Sequence, residues 1–219
     1  MLKAILFDMD GVIVDTEPLH HKAYYMMFND YNIEVSKDLY ESFTGQSTKN
    51  ICKKLVEQFS LDAMPNDLVQ CKRNHFYSLF DFDESLELLP GVLDLIQNYY
   101  NNGLTLVLAS SASMGTINKV FSRFNLDQYF VAKLSGADLK ASKPHPEIFE
   151  KAAQAANEKV EHCIVIEDST NGIKAANAAN IFCIGYDSLN SKNQDYTNAD
   201  LTIGHFSAIH FEKIESILD

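Results

Sequence analysis

The sequence predicts an α/β fold in which a parallel sheet is covered on both faces by helices and interrupted after its first strand by a helical insertion. Three observations predict it. Short, continuous apolar runs recur along the chain, and several of them close on polar residues. Apolar residues at helical spacing lie between those runs. One long stretch, 17–84, carries helical stripes but no convincing strand.

Lys3 to Phe7 reads as a short strand buried on both faces, because Ala4-Ile5-Leu6-Phe7 is apolar throughout. Asp8 and Asp10 follow at its carboxyl end, and Gly11 lets the backbone turn immediately afterwards. Three helical stripes come next: Leu19, Ala23, Met26 and Met27; Ile51, Leu55, Val56 and Phe59; and Phe76, Leu79 and Phe80. Leu89-Pro90-Gly91 marks the return to the sheet, and Val92 to Tyr100 reads as a helix stopped near Gly103.

Leu104 to Ala109 is a second strand and ends at Ser110-Ser111. Ile117, Val120, Phe121 and Phe124 fall on one face of the helix after it. Lys143 lies in Ala141-Ser142-Lys143-Pro144-His145-Pro146, ahead of a helix whose stripe is Ile148, Phe149, Ala152, Ala153 and Ala156. Cys163 to Ile166 is a third strand, ending at Glu167-Asp168. Phe182 to Ile184 and Leu201 to Ile203 are two more, separated by a polar stretch, 187–198, that reads as a surface loop. A Rossmann-like core of residues 1–16 and 85–219 and a four-helix insertion of 17–84 follow, joined by two crossings. Those crossings place an expected hinge near Asp15-Thr16 and Asp83-Ser85.

Composition narrows the function. The 219 residues carry a formal net charge of -12, which repels nucleic acid and anionic membranes, so neither is expected as a partner. No apolar run approaches the roughly 20 residues that span a bilayer, and no export signal is visible, so a cytoplasmic location is expected; a monomer is the default expectation for the oligomeric state. Cys52, Cys71, Cys163 and Cys183 form no CxxC pair. Their spacing suggests neither a disulfide framework nor a zinc site, and four reduced, mostly buried thiols are expected.

All strand carboxyl ends of a parallel sheet lie on one side, and ligands bind there. Asp8, Asp10, Ser110, Glu167 and Asp168 can therefore converge, with Lys143 beside them. Carboxylates of this kind suit Mg²⁺, a hard cation that prefers oxygen ligands. One carboxylate can also attack phosphorus, while a lysine and a serine hydroxyl can bind phosphoryl oxygens as charge develops on them. Taken singly, Asp8-x-Asp10 is an acidic turn, Lys143 a solvated charge, and Asp168 or Ser169 a helix cap. It is their order, each at a strand end, that points to chemistry.

Phe7-Asp8-Met9-Asp10-Gly11-Val12, Ser110, Lys143-Pro144 and Glu167-Asp168-Ser169 resemble the four ordered motifs of the haloacid dehalogenase superfamily, and the insertion resembles its helical cap. The likeness is greatest to the β-phosphoglucomutase-like branch and covers residues 1 to about 205. The resemblance implies roles. Asp8 is the expected nucleophile, and Asp10 the expected general acid and then base. Asp8, the Asp10 backbone carbonyl and Asp168 are the expected Mg²⁺ ligands, with Glu167 a direct or near ligand. Ser110, or Ser111 one register away, and Lys143 are the expected phosphate binders. Because Asp10 can protonate a leaving oxygen, the implied substrate is a small phosphate ester or anhydride.

Within that branch the expectation is a Mg²⁺-dependent phosphatase, with a phosphosugar mutase as the alternative and a non-catalytic binding protein of the same fold behind it. Asp15-Thr16 and His20 match a pattern found in both kinds of enzyme. In 44–49, Lys49 stands where mutases place an arginine, and it lacks the bidentate fork. A further cap lysine of the mutases falls, in ungapped register, on Asn74, with Lys72 or Arg73 as possible substitutes. His20 and Lys49 are the candidate substrate contacts of the cap.

Overall fold

The computed structural model describes residues 1–43, 46–187 and 193–218. Thr44 and Gly45 of the expected arginine-bearing loop, and residues 188–192 of the expected surface loop, lie outside the described residues. The chain divides into two compact units, one of Met1–Asp15 with Glu87–Asp219 and the other of Thr16–Leu86.

The first unit is an α/β core. Its strands are β1 (Ala4–Phe7), β2 (Thr105–Ser110), β3 (Phe130–Ser135), β4 (Cys163–Glu167), β5 (Phe182–Tyr186) and β6 (Leu201–Ile203). They form one parallel sheet in the order β3-β2-β1-β4-β5-β6. The strand order reverses between β1 and β4, so that edge of β1 is the topological switch point where ligands of such sheets bind. Phe7 pairs with Leu108 on one side and Ile166 on the other. Residues 8, 109–110 and 167–168 are therefore brought to the same level at the carboxyl end of the sheet.

Both faces of the central strands are buried, which is why β1 and β4 read as unbroken apolar runs. On one face Leu6, Val107, Ala109, Val165 and Cys183 pack with Ile148, Phe149 and Ala152 of the helix Glu147–Ala155 and with Ile173 and Ala176 of the helix Thr170–Ala178. On the other face Phe7 meets Tyr99 and Phe130, and Phe130 meets Phe121 edge-on. Phe130 belongs to β3, and Tyr99 and Phe121 belong to the helices Val92–Asn101 and Met114–Phe124.

Strand β3 was not foreseen. It is an edge strand, and only its first and last residues are buried. Val131 is exposed, and Lys133 pairs with Asp127 at 2.5 Å, so the segment has neither the apolar run nor the alternation that marks a strand.

The second unit is helical: α1 (Glu17–Asp30), α2 (Lys37–Glu41), α3 (Thr48–Gln58) and α4 (Pro65–Phe82). Ser36 and Ser47 cap α2 and α3 through their side-chain oxygens. Pro65 opens α4, where the Asp67 carboxylate accepts from the Met64 N–H at 3.0 Å. Tyr24, Met27, Phe28, Ile51, Cys52, Leu55 and Leu68 form its core. The expected place of Met26 in that core is corrected: Met26 is exposed, and Tyr24 and Phe28 bracket the buried stripe instead.

All four cysteines are free, and all but Cys71 are buried. Among the described residues no helix is long and apolar enough to cross a membrane.

Candidate active site

Asp8 follows β1 directly, and its N–H donates to the Ile166 carbonyl at 3.0 Å, which keeps it in line with the sheet. The chain then folds on itself. The Met9 carbonyl accepts from the N–H groups of Val12, Ile13 and Val14, and the Gly11 N–H returns to Val14 at 2.8 Å. This tight turn holds Asp10 two residues from Asp8.

Gly11 is required twice. Its φ is 83°, in the left-handed region, and a Cβ there would lie 2.0 Å from Asp168 Oδ2. The Asp168 carboxylate therefore lies against the backbone of the loop that carries Asp8 and Asp10.

Lys143 is buried, and its ammonium reaches three acceptors: Asp8 Oδ1 at 2.5 Å, Glu167 Oε1 at 2.7 Å and the Ala109 carbonyl at 3.0 Å. An ammonium has three N–H groups, so this set satisfies it. Its charge also lies 4.8 Å from the centre of the Phe149 ring. Burial by itself would lower the lysine pKa. The Asp8 and Glu167 carboxylates outweigh it and hold the ammonium above its ordinary value.

Glu167 has both oxygens engaged. Oε1 takes Lys143, while Oε2 accepts the Ser169 N–H at 2.8 Å and the Ser169 hydroxyl at 2.9 Å. Ser169 in turn caps the helix that starts at Thr170 by accepting from the Gly172 N–H at 3.1 Å. A Cβ at Gly172 would lie 1.8 Å from Glu167 Oε1, so only glycine leaves room for this buried carboxylate. Glu167, expected at or beside the ion, is thus committed to anchoring Lys143 and the helix N-terminus.

Ser110 ends β2, is buried, and accepts the Ala112 N–H at 3.1 Å, leaving its own O–H available to donate. Ser111 is exposed. The register thereby distinguishes the two serines, and Ser110 is the one held among the strand ends.

Burial pushes the Asp8 carboxyl well above the usual carboxylate range. Lys143 opposes that shift, while Glu167 and Asp168 add to it. Asp8, Glu167 and Asp168 bring three carboxyl groups to a single ammonium, so oxygen donors outnumber the cation. That donor set, and the cradle that Gly11 keeps open for Asp168, fit a hard divalent cation such as Mg²⁺.

The structure also brings to the site a residue that the sequence reading does not single out. Tyr196 lies in the stretch expected to be a surface loop, yet its hydroxyl donates to the Asp168 carbonyl at 2.9 Å and lies 3.2 Å from that of Tyr186. Gln194 beside it accepts the Thr170 N–H at 2.8 Å, so this loop braces the strand end that bears Asp168. A tyrosine within a polar run was the available signal.

Lys72, one of the substitutes the sequence offers for the cap lysine, lies in the helical unit. It is buried on α4, with its ammonium 2.6 Å from His20 Nδ1 and over the rings of Tyr24 and Phe76. His20 stacks on Phe76 at 4.2 Å. Burial first, and the lysine second, drive the imidazole pKa well below its usual value, so Nδ1 is the acceptor. The sequence leaves Asn74, Lys72 and Arg73 open for the cap-lysine position, and the helix separates them. Asn74 is exposed, and Lys72 is the inward lysine because it shares a helical line with Leu68 and Phe76. Lys49, the other cap candidate, is exposed on the first turn of α3.

Residues 5–186 match the family model described as haloacid dehalogenase-like hydrolase. A phosphorylated carbohydrates phosphatase of Thermotoga maritima is 31% identical over 99% of this chain and 98% of its own. The crystal structure of a β-phosphoglucomutase from Clostridium difficile superposes with a TM-score of 0.82 at 29% identity, covering 99% of this chain and 96% of that one. The CbbY protein of Rhodobacter sphaeroides, crystallised with phosphate, shares the fold with a TM-score of 0.87 at 24% identity over 98% and 100% of the two chains.

Proposed function

We propose, from the premise that this chain belongs to the haloacid dehalogenase-like hydrolase family, that it is a Mg²⁺-dependent phosphatase acting on a small phosphorylated sugar through an aspartyl-phosphate. The observation that carries the reading is the buried Asp8 at the switch point of the sheet, with Lys143 on one oxygen and the Glu167 and Asp168 carboxylates close enough to act on it. The names of the T. maritima and C. difficile relatives support a sugar phosphate as the substrate class.

In this reading Asp8 attacks phosphorus and the bond to the sugar oxygen breaks. Asp10 gives its proton to that leaving oxygen. The Asp10 carboxylate then takes a proton from water, whose oxygen attacks the phosphorus of the Asp8 ester. Phosphate leaves and the Asp8 carboxylate is restored. Ser110 donates its O–H to a phosphoryl oxygen. Lys143 holds Asp8 in place and offers a positive charge to the oxygens gathering there, and Glu167 positions Lys143. Mg²⁺, held by Asp8, the Asp10 carbonyl and Asp168, would neutralise carboxylate charge that otherwise repels a phosphate.

The test is Mg²⁺-dependent release of phosphate from an aryl phosphate and then from a panel of sugar phosphates. Asp8→Asn should abolish release from every substrate. A fully active variant refutes the nucleophile assignment.

One observation favours a second reading, a phosphosugar mutase. A mutase needs a fixed cation for its non-reacting phosphate, and Lys72, buried beside His20, is the candidate for that role. With β-glucose 1-phosphate as substrate, glucose 6-phosphate accumulating without matching free phosphate would establish the mutase. Free phosphate as the main product supports the phosphatase.

A further inference from the structure

We propose that Asp30, Cys71 and His75 form a zinc-type divalent-cation site on the helical unit. Asp30 is the last residue of α1. Cys71 and His75 lie four residues apart on α4, so their side chains stand one turn above another on a single face. All three converge on one point. The Cys71 Sγ donates to Asp30 Oδ2 at 3.2 Å, His75 Nε2 lies 2.6 Å from that same oxygen, and the three ligand atoms fall within 4.8 Å of one another.

The donors are one sulfur, one imidazole nitrogen and one carboxylate oxygen. That set suits Zn²⁺ or a similar borderline ion and not Mg²⁺, which takes oxygen. Bond lengths of about 2.0–2.3 Å around a tetrahedral ion put ligand atoms roughly 3.3–3.5 Å apart. The Cys71–Asp30 distance is already close to that, and the His75–Asp30 contact must open by under about 1 Å. Asp30 is half exposed and can make that move, and solvent can complete the fourth position. On binding, the thiol gives its proton to solvent and the sulfur becomes the anionic ligand. The ion would then pin the end of α1 to the middle of α4. Cysteine spacing alone does not show the site, because its ligands are mixed and Asp30 comes from another helix.

The experiment uses the full chain, stripped of metal by a chelator and titrated with Co²⁺. One Co²⁺ per chain should give the visible bands of a tetrahedral site together with a thiolate-to-cobalt charge-transfer band, and Zn²⁺ but not Mg²⁺ should erase both. Cys71→Ser should remove the charge-transfer band. His75→Gln should keep that band but weaken Zn²⁺ binding by at least about tenfold, and it serves as the second test if Cys71→Ser does not fold. Zn²⁺ should raise the melting temperature of the parent protein and not of Cys71→Ser. Absence of the thiolate band, or an unchanged band in Cys71→Ser, overturns the site. Asp8→Asn should leave the cobalt spectrum unaltered, so this result does not depend on the phosphatase reading.

Discussion

Replacing Lys143 by methionine tests the electrostatic design of the core most directly. The lysine side chain is 5% exposed, and it joins Asp8, 9% exposed, to Glu167, 1% exposed. Methionine has a similar length and fills the space against Phe149, so the loss is one of charge and hydrogen bonding rather than packing. Removing one partner of a buried ion pair leaves uncompensated charge and costs about 3–5 kcal/mol. For a chain of this size each kcal/mol moves the melting temperature by roughly 2–4 °C, so a fall of about 10 °C is expected at pH 7 without Mg²⁺.

The pH dependence has a definite sign. The Asp8 carboxyl is already raised in the folded state, chiefly by burial, and loss of the ammonium raises it further. A carboxyl whose folded pKa exceeds its unfolded value costs stability above that range, and the cost is relieved as pH falls. The gap between variant and parent should therefore narrow at pH 5. Calorimetry at the two pH values, with phosphate release measured in parallel, checks the claim. A variant that melts within about 2 °C of the parent at pH 7 would refute the reasoning.

Three other outcomes are expected. Gly11→Ala forces a Cβ onto the Asp168 carboxylate at a left-handed φ, so Mg²⁺-dependent activity should fall by more than about tenfold while far-UV circular dichroism is retained; unchanged Mg²⁺ dependence would count against Asp168 as a ligand. Tyr196→Phe removes the donor to the Asp168 carbonyl and should cost about 1 kcal/mol in stability, with a larger loss in kcat than in KM; parent-like kinetics would deny the loop a role in placing Asp168. The His20 imidazole should stay neutral through pH 6, seen as an NMR resonance that does not titrate, and Lys72→Met should raise its pKa by removing the adjacent charge; a midpoint near the usual 6.5 in the parent would contradict the buried contact.

The amino-acid sequence by itself determined the α/β class, the helical insertion and the polar residues that close the strands. Those signals are local. An apolar run ending in Asp8-x-Asp10-Gly11, or in Glu167-Asp168, is visible within a few residues because a strand buried on both faces tolerates little else. Strand β3 escaped the same logic because an edge strand is half solvated.

The tertiary structure decided who meets whom. Asp8 and Lys143 are 135 residues apart, and only the parallel register of β1, β2 and β4 closes that distance. The same holds for Tyr196 on the Asp168 carbonyl, Lys72 on His20, and Asp30 on Cys71 and His75. Partner choice between remote residues depends on strand order and helix packing, which no short window of sequence encodes.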